Sequence, residues 1–224
     1  LGSSHIEADS LLRFCSNEYS PTTIIGSQSS IKARHLDANT DQLGKVELAN
    51  DQLKNFNYDL RAKEIVFSGS GTTRFSFDSL VVDSLIFTNN AILEIGTNSG
   101  AGLRVNKGIR GPGAGTQEAA IQSTSGTIQM DLISPRNLCI KGKVAFEEVN
   151  ALGGHVYHAE EGLDNGDNTG ITFTPNTYTG NIYWNGYEDE FHLLKNWSNI
   201  SGGCPTDLTN IKNADSLIVD EYGY

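Results

Sequence analysis

From Glu64 onward the chain is a succession of apolar runs, most of three to five residues, each cut off by Gly, Asn, Asp or Ser. Ile65-Val66-Phe67, Phe75-Ser76-Phe77, Leu80-Val81-Val82, Leu85-Ile86-Phe87 and Ile92-Leu93-Glu94-Ile95 follow one another closely, and the series continues to Ile171-Thr172-Phe173. Such runs are too short for helices, which average about 11–12 residues. They are also denser in punctuation than a sandwich, whose strands average about five to six residues with turn signals every 8–12. Short strands with frequent corners are what a β-solenoid, similar to a parallel β-helix, requires. One coil cannot cover its own inward side chains, so neighbouring coils must bury them. The expected fold is therefore all-β: a β-solenoid, with a β-sandwich as the rival because no strict repeat length is visible. Corners such as Asn89-Asn90 are expected to use asparagine's tolerance of left-handed backbone and its bonds to its own turn.

Composition agrees. The chain holds 24 Gly and 1 Met, and is poor in helix formers. Its net charge of −11 argues against nucleic acid, which demands a basic face, and against anionic lipid. No run of about 18 apolar residues occurs, so no membrane insertion is expected.

Three regions are read along the chain. Residues 1–60 look like the end of a preceding β module, with a strand over Ser10–Phe14, and a loosely patterned connector. In that connector 27–30 and 37–41 read as loops and Gly44–Leu48 as a short strand. Residues 61–180 form the solenoid-like region, and 181–224 a small aromatic-rich β module leading into the next β region. The sequence opens without an initiator Met and stops soon after the alternating pattern Ala214–Asp220, so a fragment of a longer chain is expected, with neighbouring modules of the same polypeptide as its first partners; the alternative is the C-terminal edge strand of a complete domain.

Chemistry-bearing residues are few. Cys15, Cys139 and Cys204 are an odd number without a C-x-x-C pair, which leaves two readings open: one disulfide of unknown pairing in an exported protein, or buried reduced thiols. Asp164-Asn165-Gly166-Asp167-Asn168 is the best metal candidate, with Asp164, Asp167 and Asn168 offering oxygens to calcium. It lacks the closing Glu of an EF-hand, and a solvated acidic turn is the simpler reading. His155 and His158 would fall on opposite faces of a strand, which opposes a shared metal. Gly111-Pro112-Gly113-Ala114-Gly115 lacks the Lys-Ser/Thr of a phosphate loop and reads as a flexible loop. No cofactor is expected beyond calcium. Trp184 and Trp197 could stack on sugars, or form the small core that so short a module needs.

Trp184-x-Gly186, Asn196-Trp197-Ser198, Gly202-Gly203-Cys204-Pro205 and Ala214-Asp215-Ser216-Leu217-Ile218-Val219 together resemble a recurring module of large secreted surface proteins of the Bacteroidota. The resemblance covers about a sixth of the chain. It implies export by the type IX system, an extracellular, cell-surface location, and a role like that of gliding or attachment adhesins. The partners it implies are surface polysaccharide or the secretion and motility machinery. Asp-Ser-Leu occurs four times and looks like that phylum's O-glycosylation acceptor, which would put sugars on Ser10, Ser79, Ser84 and Ser216. The alternative is that Asp-Ser makes a turn and Leu opens the next strand. Ala8-Asp9-Ser10-Leu11 and Ala214-Asp215-Ser216-Leu217 also read as matching entry points of successive modules. The expected function is a non-catalytic structural or adhesive segment. Its rivals are a carbohydrate-binding or carbohydrate-active β-solenoid of lyase or glycosidase type, and a subunit of an extracellular filament.

Overall fold

The computed structural model describes residues 5–13, 22–26, 30–37, 43–49, 54–56, 60–75, 79–96, 102–113, 117–124, 129–173, 181–184, 197–198 and 216–219. Every regular element among them is a strand. The first ten are β1 (His5–Arg13), β2 (Thr22–Gly26), β3 (Ser30–Asp37), β4 (Leu43–Ala49), β5 (Lys54–Phe56), β6 (Leu60–Phe67), β7 (Thr72–Phe75), β8 (Ser79–Phe87), β9 (Ile92–Ile95) and β10 (Gly102–Arg110). Then come β11 (Ala119–Ser123), β12 (Met130–Ile133), β13 (Leu138–Lys141), β14 (Val144–Glu147), β15 (Val149–Leu152), β16 (Tyr157–Ala159), β17 (Leu163–Asp164) and β18 (Ile171–Thr172). β19 (Asn181–Trp184), β20 (Trp197–Ser198) and β21 (Ser216–Val219) close the series.

The strands form parallel sheets. Twelve make one sheet along the path β1-β3-β6-β8-β10-β13-β16-β18, with β2, β4, β12 and β15 beside it; six make a second, β17-β14-β11-β9-β7-β5. Among the described residues every pairing in these two sheets is parallel, joining segments from 14 residues apart (β16 and β18) to 31 apart (β10 and β13).

Register turns this pairing into apolar columns. Leu60 lies beside Leu80, Leu80 beside Leu103, and Leu103 beside Leu132. A second column runs Val46, Ile65, Leu85, Ile109, Ile140, Ala159. On the six-stranded sheet Thr73, Leu93, Ile121 and Phe146 form a third. All are buried, and all but Thr73 belong to one hydrophobic cluster. Phe67 stacks on Phe87, one rung on, with centroids 4.8 Å apart. Each such side chain contributes about 1.5–3 kcal/mol through burial, and it does so against residues of other rungs.

The long strands bend in the middle. In β8 the alternation slips at Asp83 and Ser84, both half-buried, between the core residues Val82 and Leu85. Opposite them β10 carries an extra residue between Val105 and Gly108, a bulge. Asn106 Nδ2 donates to Asp83 Oδ1 at 3.0 Å, and Lys107 Nζ lies 3.2 Å from Asp83 Oδ2. Leu80-Val81-Val82 and Leu85-Ile86-Phe87 are thus one bent strand, not two. On later rungs the same bend separates β12 from β13 and β15 from β16.

Several expectations change. Residues 1–60 supply β1 to β5, and β4 and β5 pair with β6 and β7, so the sheets continue across position 60. Ser30 and Asp37, read as loop residues, end β3; residues 27–29 and 38–41 lie outside the described set. Asn89 serves its corner by donating to Ser68 O at 2.5 Å on the preceding rung, not by left-handed backbone. Gly142 is one of the positions with that conformation (φ 78°), and a Cβ there would come within 2.7 Å of Pro112 O. Gly111 and Pro112 are themselves buried, and Gly111 N donates to Lys141 O at 2.6 Å. This part of the glycine-rich segment is a packed corner; residues 114–116 are outside the described set.

Candidate functional site

The acidic loop after β17 is built as a corner. Asp164 Oδ1 accepts from Gly166 N at 3.0 Å and from Asn168 Nδ2 at 2.6 Å. Asn168 Oδ1 accepts from Val149 N at 3.0 Å, and its Nδ2 also donates to Phe146 O at 2.7 Å. Asp167 has positive φ (55°), and its carbonyl accepts from Gln129 Nε2. Asp164 Oδ1 is thus bonded within the corner, and the Asn168 amide ties the corner to the preceding rung. Among the described residues no group of three His, Cys, Asp or Glu side chains is placed to hold a metal ion. His158 is fully buried in β16 while His155 lies in the bend before it.

The outward polar side chains are engaged along the stack in the same way. Arg74, Glu94 and Gln122 stand in register on the six-stranded sheet. Arg74 Nε donates to Glu94 Oε2 at 2.7 Å, and Gln122 Nε2 to Glu94 Oε1 at 2.9 Å. Asn150 Nδ2 donates to Asp131 Oδ1 at 3.3 Å, and Thr169 Oγ1 to Asn150 Oδ1 at 2.5 Å. Lys45 Nζ lies 3.5 Å from Glu64 Oε1. Individually these exposed or half-exposed bonds are weak. Each joins side chains that stand in register on neighbouring strands.

Tyr157 is the titratable group whose environment stands out. Its hydroxyl accepts from Ser134 N at 2.9 Å and donates to Leu152 O. Burial pushes its pKa above the ordinary phenol value of 10.0, and the Ser134 N–H partly offsets this. The phenol bridges the bends of two adjacent rungs. Sequence reading did not single it out, because a tyrosine between His155 and His158 carries no pattern of its own.

The aromatic module forms a separate three-stranded sheet, β20-β19-β21, with β20 antiparallel and β21 parallel to β19. Trp184 and Trp197 meet edge to face, centroids 5.4 Å apart, and are 8% and 4% exposed. With Ile182 they make a small core of their own. Neither ring offers an open face, so the sugar-stacking reading gives way to the core reading.

Of the four serines, Ser216 is exposed and Ser79 and Ser84 are half-buried; Ser10 lies at a register shift within β1. Ser10 and Ser84 sit inside strands, so the turn reading of Asp-Ser fails there: a bulge in β1 takes up Asp9-Ser10, and Asp83-Ser84 lies at the bend of β8, opposite the bulge of β10. The two Ala-Asp-Ser-Leu copies lie in different sheets, since β1 edges the twelve-stranded sheet and β21 pairs with β19. Cys139 is disulfide-bonded; Cys15 and Cys204 lie outside the described residues.

Comparison with protein-family models, with curated proteins and with solved structures finds no match for this chain.

Proposed function

We propose that the chain is a non-catalytic structural segment of a large extracellular bacterial surface protein, a stacked β-solenoid that projects or presents neighbouring modules. The observation that carries this reading is the continuous in-register column structure, with its outward polar groups tied from rung to rung. A scaffold needs stiffness along one axis, and columns of buried side chains bridging successive coils supply it. The acidic balance keeps such a surface soluble and discourages association through its edges. Leu217 and Val219, exposed on β21, are where an adjoining module of the same polypeptide would pack. Export by the type IX route, adhesion, and glycosylation of Ser10, Ser79, Ser84 and Ser216 belong to this reading through the Trp184–Val219 resemblance.

A carbohydrate-active solenoid would present open aromatic faces and free carboxylate pairs in a groove. Trp184 and Trp197 close on each other, and the Glu94 carboxylate is bridged by Arg74 and Gln122. The test is antibody labelling of intact producing cells, with antibodies raised against this segment. Labelling without permeabilisation is expected. Labelling only after permeabilisation overturns the surface reading.

A further inference from the structure

Cys139 has a disulfide partner, and the sheet order decides which cysteine it is. Along the path β1-β3-β6-β8-β10-β13, five pairings separate β1 from β13. Neighbouring strands lie about 4.8 Å apart, which puts β13 roughly 24 Å from β1. Cys15 follows the last residue of β1, Arg13, by two positions, and two residues reach at most about 7 Å. A disulfide spans Cα atoms no more than about 6.8 Å apart. Together these reaches fall about 10 Å short, so Cys15 cannot be the partner. Cys204 meets no such obstacle. β18, the last strand of the sheet, is two pairings from β13, and the chain from Phe173 to Cys204 is ample to return.

Burial on the outer face points the same way. Cys139 alternates with Leu138 and Ile140, both fully buried core residues, so its side chain leaves the sheet on the opposite side. There it shares a column with Lys45, Glu64, Ser84 and Gly108 on earlier rungs and His158 on the next. The four earlier positions are half-exposed, whereas Cys139 is 6% and His158 0% exposed. Thr172, one rung further, is exposed again. A patch two rungs wide is thus covered from outside, around the cross-linked sulfur.

We infer that Cys139 and Cys204 form the disulfide, a covalent tie between β13 and the chain that joins β20 to β21. The link fastens the aromatic module to the stacked sheets. Its formation removes two protons and two electrons from the thiols, which pass by thiol–disulfide exchange to an oxidised dithiol partner of an oxidising compartment. The inference rests on sheet order and burial, and stands whether or not the segment is a surface scaffold.

The test is tryptic mapping of the full chain, alkylated and digested without reduction. The expected product joins Asn137–Lys141 to Asn196–Lys212, with Cys15 recovered alkylated in Phe14–Lys32. A product joining Asn137–Lys141 to Phe14–Lys32, or Cys139 recovered alkylated from protein produced under oxidising conditions, overturns it. A second measurement compares two variants. Cys204→Ser should free Cys139 to alkylation and lower Tm by roughly 10 °C, given the long loop it opens. Cys15→Ser should leave both unchanged; loss of the Cys139 cross-link in Cys15→Ser contradicts the assignment.

Discussion

The stacked sheets and the three-stranded sheet after them bury their apolar residues in opposite ways. In the stack, a residue such as Leu85 is covered by Ile65 and Ile109, each on another rung, so one continuous cluster runs from Val46 to Ala159. Among the described residues of the three-stranded sheet, Ile182, Trp184 and Trp197 are buried against one another, apart from that cluster. Units as short as this module depend on covalent or tertiary support. The difference teaches where a perturbation should travel: along the rungs in the first region, and no further than the module in the second.

The largest effect is expected at the aromatic stack. Phe87→Ala removes a buried ring packed on Phe67 and should cost about 3–5 kcal/mol in chemical denaturation. Loss confined to one rung, with the remaining β-sheet circular dichroism intact, would break the comparison. Trp197→Ala should do the reverse. It deletes the ring packed edge to face on Trp184, so Trp184 emission should shift to the red while the sheet signal of the stack persists. Collapse of the whole spectrum would mean that the two regions fold as one.

Gly142→Ala sharpens the picture at a corner. At φ 78°, and with Pro112 O 2.7 Å from the new Cβ, it should cost about 2 kcal/mol, visible as a lowered denaturation midpoint. Tyr157→Phe leaves Ser134 N and Leu152 O without the hydroxyl and should cost about 1–2 kcal/mol at neutral pH. The folded pKa is raised, so the phenol's contribution is complete below the unfolded value near 10. It is lost as pH climbs from there through the folded value. The gap between wild type and variant should therefore narrow above pH 10, measured as Tm against pH. Arg74→Ala, which breaks a half-exposed link to Glu94, should cost less than about 1 kcal/mol and matter less in high salt.

Much of the fold is legible in the residues and some is hidden for physical reasons. The all-β class follows from run length alone. Leu80-Val82 and Leu85-Phe87 read as two strands because alternation slips at Asp83-Ser84, yet a slip is also how a strand turns a corner while keeping its pairing. The strands of residues 1–60 are obscured because polar runs mark corners and strand edges alike: Ser30 and Asp37 bound β3. In the loop after β17, Asp164 and Asn168 offer the same oxygens to a cation or to backbone N–H groups, and composition does not tell which receives them. The mutual burial of Trp184 and Trp197 was one of two readings open, and exposure decides between them. Tyr157 had no spacing to announce it, since its partners are backbone atoms.

Register is the central claim, and methyl–methyl nuclear Overhauser contacts test it most directly, on protein labelled at Ile, Leu and Val. Two series of contacts are expected, Leu60–Leu80–Leu103–Leu132 and Ile65–Leu85–Ile109–Ile140, each linking residues one rung apart. Contacts that instead join consecutive runs in reversed order, Leu85 to Leu93 and Ile86 to Ile92, would indicate antiparallel hairpins and contradict the account.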